Sequence, residues 1–181
     1  MFAPGERVRV VPTPAAGVGF PGAPGGPPEL QRTRKPPGGE DGRRPDGQTQ
    51  VHLKADPATT AATRYVSVLR PGLLTTVQDL GRWGYQEFGV PVSGPMDHTA
   101  HRLANAVVGN ALDAATLEAT WLGPELRMEQ ETRLAVAGGD LRATLDSADL
   151  PLHAPVRCRP GSVLRFGGRR SGARAYVAFD V

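Results

Sequence analysis

The sequence predicts a mainly β fold, a small barrel or sandwich with one α-helix. From Thr116 onward, short apolar and β-branched runs alternate with turn signals, and strands repeated at this interval are typical of barrels and sandwiches. Only Asp97 to Val108 has apolar residues at clear helical spacing. The predicted strands are TLEATWL, ELRM, RLAVAG, LRATL, PVRCR, SVLRF and ARAYVAF, with turns at Gly123-Pro124, Gly138-Gly139-Asp140, Asp146-Ser147, Pro160-Gly161 and Gly167-Gly168.

The segment before this β-rich part has a different composition. Residues 1–14 include Glu6–Val11, whose β-branched residues could form a strand, although nothing near it in the sequence would pair with it. Residues 15–64 are rich in Pro and Gly with scattered charges. Such a composition buries too little apolar surface to offset the ordering of its backbone. We therefore expect 15–64 to be a disordered linker and 65–181 to be the folded part.

Charge and cysteine content exclude several classes of protein. The net charge is +3, but residues 1–64 carry nine Lys and Arg against six Asp and Glu, whereas residues 65–181 carry twelve of each. A neutral folded part lacks the clustered basic face of a nucleic-acid-binding domain. The single cysteine, Cys158, allows neither an internal disulfide nor a cysteine-rich zinc site, and it fits a small core residue of a strand. No stretch resembles a signal peptide or a membrane span, so we expect a cytoplasmic protein with no membrane partner.

Two strands are predicted ahead of the helix. Tyr65–Arg70 alternates as a strand does, a Pro-Gly turn follows it, and Leu73–Leu80 forms the second strand. Gly109 is placed to end the helix, and either Ser93 or Asp97 could cap its first turn. The unpaired N–H groups of that turn could face an anion.

The stretch Thr75–Asp97 is the candidate functional loop. Glycines punctuate it, yet long irregular loops in compact domains are usually functional or disordered, and the aromatic rings of Trp83, Tyr85 and Phe88 offer area that would anchor it. We therefore expect an ordered, site-forming loop. Its polar side chains are those of Gln78, Asp79, Arg82, Tyr85, Ser93 and Asp97.

The residue types present restrict the chemistry. The only lysines, Lys35 and Lys54, lie in the linker, so the folded part has neither a Schiff-base lysine nor a P-loop lysine. His98 and His101 are three residues apart on the helix, but Asp97 is the only evident third ligand. We expect surface histidines there and no metal site.

The remaining candidates are carboxylate, guanidinium, amide and hydroxyl groups. Arg82 could hold a carboxylate or phosphate with two parallel hydrogen bonds, while Asp79 could orient an amide N–H or accept a proton. A structural ion pair between the two residues is the alternative. Asn105 is a candidate ligand contact. Glu118 lies in an apolar strand, where it would be costly to bury unpaired, and the alternative is a place on the solvent face.

Five segments together resemble the start of biotin-dependent carboxyltransferase family proteins. They are RPGLLTTVQDLGR, GY, GVPVSGPMD, RLANAVVGN and LEATWLGPELR. The family includes the C subunit of 5-oxoprolinase, allophanate hydrolase subunit 2 and the carboxyltransferase part of urea carboxylase. The resemblance runs from about Val66 to Val181 and implies a partial cyclophilin-like β-barrel. The family's module is much longer, so about its second half would be absent here.

The resemblance implies three alternative functions. The first is action with A- and B-type partner subunits in the ATP-dependent hydrolysis of 5-oxo-L-proline to L-glutamate. The second is transfer of a carboxyl group from carboxybiotin to urea or a similar small-molecule amide. The third is a non-catalytic module that binds a B-type partner. The chain has no ATP-grasp region and no biotinyl-lysine motif, so ATP would bind to the complex and biotin would arrive only on a partner.

The resemblance also assigns residues by their positions in its motifs. Residues 1–14 resemble the final strand of B-type subunits, so the chain would straddle a fusion joint. The expected catalytic residues are Asp79 and Arg82, and the expected substrate-binding residues are Gln78, Tyr85, Ser93, Asp97, Asn105 and Glu118.

Overall fold

The computed structural model describes residues 2–10 and 64–180. Apart from Arg64, the predicted linker 15–64 lies outside the described residues, and so do residues 11–14 of the first segment. The eleven strands are β1 (Arg7–Val10), β2 (Arg64–Arg70), β3 (Leu74–Gln78), β4 (Thr116–Thr120), β5 (Glu125–Met128), β6 (Thr132–Asp140), β7 (Ala143–Leu145), β8 (Ala148–Asp149), β9 (Val156–Cys158), β10 (Val163–Phe166) and β11 (Ser171–Phe179); the helix α1 spans His98–Val108, and a 3₁₀ turn spans Gln86–Phe88.

The strands form two antiparallel sheets. The first sheet has the order β1-β2-β5-β10-β7-β8, and the second has the order β3-β4-β11-β6-β9. The mainly β fold with one α-helix is therefore confirmed. Within the described part of the chain both sheets are open and do not close into one barrel, which is compatible with a partial cyclophilin-like barrel.

The main core lies between the two sheets. Strands β4, β6 and β11 alternate, so that one set of side chains enters this core and the other set faces α1. Small residues on both partners let the helix pack closely against the second sheet, and for this reason β6 and β11 are buried on both faces. The helix-side cluster contains Ala100, Ala104, Val108, Ala135, Ala137, Tyr176 and Ala178.

The helix begins and ends as its sequence predicts. Asp97 is the N-cap, and its carboxylate accepts hydrogen bonds from the backbone N–H groups of Thr99 at 3.0 Å and Ala100 at 2.9 Å. Gly109 adopts the left-handed conformation after the last turn. This helix therefore fixes the end of the loop that leaves β3. Among the described residues, no helix is long and apolar enough to cross a membrane.

Two local predictions are corrected. The segment expected to lack a pairing partner forms β1, which pairs with β2 although the two strands are far apart in sequence. The turn predicted at 138–140 is instead the end of β6, where the pairing with β11 shifts register between Ser171 and Ala175. Gly138 permits this irregularity because it has a φ of 91°, and a Cβ there would lie 2.8 Å from the Arg174 carbonyl oxygen.

Candidate functional site

The loop between β3 and α1, residues 79–97, is closed at its base by backbone contacts. The Arg82 N–H donates to the Val92 carbonyl at 2.7 Å and thereby joins the two ends of the loop. Gly81 makes this approach possible, because its φ is 84° and an added Cβ would lie 2.5 Å from that same carbonyl oxygen. The Asp79 carboxylate accepts a hydrogen bond from the Gly81 N–H at 2.8 Å. Asp79 thus has a place in the turn at the base of the loop.

The tip of the loop is a short turn that displays aromatic rings. The Tyr85 carbonyl accepts hydrogen bonds from the N–H groups of Phe88 at 3.1 Å and Val90 at 3.3 Å. The sequence predicts that the aromatic side chains anchor the loop by burial, but Trp83, Tyr85 and Phe88 are 67%, 47% and 61% exposed. Hydrogen bonds therefore hold the loop, among them one from the Trp83 indole N–H to the Leu80 carbonyl at 3.2 Å, and the exposed faces of the rings remain available to a ligand or a partner.

Asp79 and Arg82 are both exposed on this loop. They form no ion pair with each other, and within the described residues the Arg82 side chain makes no ion pair with any carboxylate. Gln78, at the end of β3, donates from Nε2 to the Thr76 hydroxyl at 2.9 Å. Ser93 is exposed and has a φ of 61°. The loop therefore presents an exposed guanidinium beside hydroxyl, amide and carboxylate groups.

Glu118 joins the end of the loop to the second sheet. It is buried on β4, and its Oε1 accepts from Arg174 Nε at 2.9 Å. Its Oε2 accepts from the Tyr176 hydroxyl at 2.7 Å and from the Met96 backbone N–H at 2.9 Å. The solvent-face alternative for Glu118 is wrong, because cross-strand pairing with Tyr176 on β11 places the carboxylate under the loop. The ion pair and hydrogen bonds offset its burial.

The Tyr176 hydroxyl also links Glu118 to the helix cap. While donating to Glu118, it accepts the backbone N–H of Asp97 at 2.8 Å. Burial, followed by its hydrogen bond to Glu118, raises the pKa of Tyr176 far above its usual value, so the hydroxyl keeps its proton. The Asp97 carboxylate already takes two N–H groups of the first helical turn. The helix start that could have faced an anion is thus occupied by the chain's own carboxylate.

Asn105 lies in the interior of the domain. It is 0% exposed, and its Nδ2 donates to the Ala114 carbonyl at 2.7 Å while its Oδ1 accepts from Asn110 Nδ2 at 3.1 Å. Asn110 Nδ2 in turn donates to the Phe179 carbonyl at 2.8 Å. The structure therefore gives Asn105 a role in joining the end of the helix to β11, and no surface at which it could touch a ligand.

Comparison with known proteins places this arrangement in a family. A family model described as "Carboxyltransferase domain, subdomain A and B" matches residues 88–181, which is just over half of the chain. The chain belongs to this carboxyltransferase family. The matched range of the carboxyltransferase domain includes Ser93, Asp97, Asn105 and Glu118, while Gln78, Asp79, Arg82 and Tyr85 precede it.

Relatives of this carboxyltransferase domain include urea amidolyases and C subunits of 5-oxoprolinase. Urea amidolyase of Saccharomyces cerevisiae is 43% identical over 113 residues, which are 62% of this chain and 6% of that protein. The C subunit of 5-oxoprolinase from Escherichia coli is 32% identical over 113 residues, which are 62% of this chain and 36% of that protein. The crystal structure of K. lactis urea amidolyase superimposes with a TM-score of 0.62 at 44% identity, covering 63% of this chain and 7% of that one. The chain thus spans about a third or less of these relatives.

The position of His101 in the carboxyltransferase domain corrects an expectation. The sequence predicts a surface histidine, but His101 is 0% exposed, and its ring lies edge-on to Tyr176 with 6.3 Å between centroids. Its Nδ1 lies 2.9 Å from the Thr116 hydroxyl, and Nε2 has no partner among the described residues. Burial lowers the pKa of His101, and the neighbouring His98 lowers it further, so the ring is held neutral. His101 lies three residues before Ala104 and seven before Val108, so helical spacing could have predicted that it is buried on the same face.

A shallow cavity of about 370 Å³ lies away from the loop. It is lined by Arg64, Glu131, Thr132, Arg133, Arg157 and Asp180. Its charged residues are linked by ion pairs, because Asp180 pairs with both Arg64 and Arg133 while Glu131 pairs with Arg157. The cavity is therefore lined by a network of surface ion pairs in which three arginines face two carboxylates, so its lining keeps one positive charge in excess.

The structure brings together only some of the predicted site residues. Asp97 and Glu118 meet through Tyr176, and the base of the loop brings Asp79 beside Gly94, whose Cβ position lies 3.2 Å from the Asp79 carbonyl oxygen. Arg82 and Tyr85 are exposed on the same loop, whereas Asn105 lies in the interior. The site is thus an exposed polar and aromatic loop above a buried Glu118–Tyr176 support.

Proposed function

We propose that this carboxyltransferase-type domain acts with A- and B-type partner subunits in the ATP-dependent hydrolysis of 5-oxo-L-proline to L-glutamate. Its relationship to the C subunit of 5-oxoprolinase from Escherichia coli supports the proposal. A lactam amide is stabilised by resonance, so opening it near neutral pH needs activation of the carbonyl, which phosphoryl transfer from ATP would supply. ATP would be bound by the complex.

The observation that carries this proposal is the exposed guanidinium on the loop. Arg82 has no carboxylate partner within the described residues, whereas 5-oxoproline carries a carboxylate. A guanidinium and a carboxylate can form two parallel hydrogen bonds, which fix orientation as well as position. Arg82 would hold that carboxylate, and Tyr85, three residues later on the same loop, would contact the planar ring.

Asp79 would then handle a proton during ring opening. Its carboxylate is exposed at the base of the same loop, and among the described residues it accepts one hydrogen bond, from Gly81, at Oδ1. The other oxygen, Oδ2, can therefore face a substrate amide. Gln78 and Ser93 would contact the substrate from the two ends of the loop. Asp97 caps the helix through Oδ1 and would contact the substrate through Oδ2, and Glu118 would support them from below.

The test is glutamate release by the full-length protein mixed with its A and B partners, ATP and 5-oxo-L-proline. We expect Arg82→Ala to reduce kcat/KM by up to about a hundredfold, since losing a hydrogen bond between charged groups costs about 1.5–3 kcal/mol. Arg159→Ala is the matched control, because Arg159 is an exposed arginine that follows β9, at the opposite edge of the sheet from β3. Normal turnover by Arg82→Ala would remove the assigned role. A tight complex with no turnover would instead favour the binding-module alternative.

A second candidate is carboxyl transfer from carboxybiotin to urea. The observation that favours it is the higher identity to urea amidolyase, 43% against 32% for the C subunit of 5-oxoprolinase. In that case Arg82 or Tyr85 would lie near the ureido ring of biotin, which a carrier partner would deliver. The two candidates separate in one assay series: biotin-carrier-dependent carboxylation of urea supports the second, and glutamate formation without biotin supports the first.

A further inference from the structure

Strand β1 forms one edge of the first sheet, although it is far in sequence from the strand with which it pairs. Its residues Arg7–Val10 pair with Arg64–Ser67 of β2 in antiparallel register. Before them, the Gly5 N–H donates to the Val68 carbonyl at 2.8 Å, and the Val68 N–H donates to the Glu6 carbonyl at 2.7 Å. Fifty-three residues, 11–63, separate the two strands in sequence. The pairing is therefore made by a segment that no short turn holds in place.

The contacts of β1 have the features of peptide recognition by strand addition. Backbone hydrogen bonds run along the edge of β2, and the side chains of Phe2 and Val8 pack against the core between the sheets. Arg7 and Arg9 alternate with Val8 and are exposed. The edge of β2 thus recognises an extended segment through its backbone and two apolar anchors.

Charge adds a second element of recognition. Glu129 lies beside β2, where its Oε1 accepts from Arg127 Nε at 3.1 Å and is also hydrogen-bonded by the Ser67 hydroxyl. Arg7 is paired with Ser67 in the register and lies close enough to Glu129 to contribute to the lowering of the pKa of that carboxyl, after the larger effects of Ser67 and Arg127. A segment with a basic residue directly before its apolar anchor therefore fits this edge.

We propose that the outer edge of β2 is a strand-acceptor site, which a second copy of this chain can fill with its own Gly5–Val10. Gly5–Val10 of a second copy has the same sequence as the segment that pairs with β2 within one copy. It can therefore make the same contacts with that edge. Closing the 53-residue connection within one chain costs loop entropy, and a connection of this length in sequence can also let Gly5–Val10 reach the β2 of a neighbouring copy. Exchange of a terminal strand between copies is a low-cost route to a dimer.

The acceptor site is tested with a peptide. A specific protease site is inserted within residues 16–60, the cleaved protein is unfolded and refolded with an excess of a fluorescent peptide of residues 1–12, and bound peptide is measured by anisotropy and gel filtration. We expect saturable binding of the unchanged peptide. The Val8→Asp peptide should bind at least about tenfold more weakly, because a charge would replace an apolar anchor. The Ala3→Asp peptide, altered at an exposed position, is the matched control. Absence of binding, or equal binding of the Val8→Asp peptide, would overturn the acceptor site.

The second copy as occupant is tested with cysteines in the uncut chain. One copy carries Arg9→Cys and the other Tyr65→Cys, two positions that are register partners. After refolding together at high concentration, we expect a disulfide between the copies. In a mixture of Arg7→Cys and Tyr65→Cys copies the two cysteines are out of register, so this mixture should form much less of the disulfide. Equal cross-linking of the two mixtures, or none in either, would overturn exchange between copies.

Discussion

Removing the Glu118 carboxylate should destabilise the domain and loosen the end of the loop. In Glu118→Ala, Arg174 loses its ion-pair partner, and the Tyr176 hydroxyl and the Met96 N–H both lose their acceptor. Breaking a buried ion pair from one side costs about 3–5 kcal/mol, but the Arg174 side chain is 31% exposed and water compensates part of its loss. We therefore expect the free energy of unfolding to fall by about 3 kcal/mol, with a melting temperature lower by about 10 °C.

The assay is urea denaturation of the variant beside a matched control, with amide exchange measured at Met96 and Asp97. Glu131→Ala is the control, because Glu131 pairs with Arg157 at the surface, where 54% of the glutamate side chain is exposed. Such an exposed pair contributes at most about 1 kcal/mol. Equal stability of the two variants, with unchanged exchange at Met96, would refute the claim that Glu118 holds the loop.

Four further predictions concern single residues. Asp97→Ala should lower the free energy of unfolding by about 1 kcal/mol by removing the helix cap, as measured by denaturation, with Asp149→Ala as an exposed control. Gly81→Ala should cost about 2 kcal/mol and speed amide exchange across the loop, because its Cβ would clash with the Val92 carbonyl. An equal effect of Gly84→Ala, where the φ is also positive but an added Cβ meets no atom within 4 Å, would contradict this. Burial lowers the pKa of His101 below its usual 6.5. The neutral ring therefore contributes fully to the stability of the folded domain above about pH 6.5, and this contribution is lost as the pH falls towards the folded-state pKa. An NMR titration giving a pKa of 6.5 or more would be inconsistent with this. Burial raises the pKa of the Cys158 thiol to about 12, so it should react with iodoacetamide at pH 8 only after unfolding, and rapid labelling of the native protein would disprove its burial.

Local signals predict the elements well because they depend on neighbouring residues. Alternation and turn residues place β5 at its observed bounds, and the cap Asp97 and the stop Gly109 delimit the helix. The turn expected at 138–140 fails because two glycines serve equally for a turn and for a strand irregularity where another backbone passes closely. Here tertiary contact decides between two local alternatives.

The support of the site could not be predicted, because it depends on pairing between distant strands. Nothing in the sequence indicates that Tyr176 lies opposite Glu118, or that β1 would find β2 across 53 residues. Polarity alone assigns His101 to the surface, whereas helical spacing places it in the interior beside Tyr176. The polar loop itself is found from composition, and the ligand contacts of its residues stay predictions.

The most direct test of the account is binding of 5-oxo-L-proline to the full chain, followed by NMR of backbone and arginine side-chain signals. We predict saturable shifts at Asp79, Arg82 and Tyr85 that disappear in Arg82→Ala and persist in Arg159→Ala. Shifts that survive in Arg82→Ala, or that fall only on residues outside the loop, would contradict a carboxylate site at Arg82.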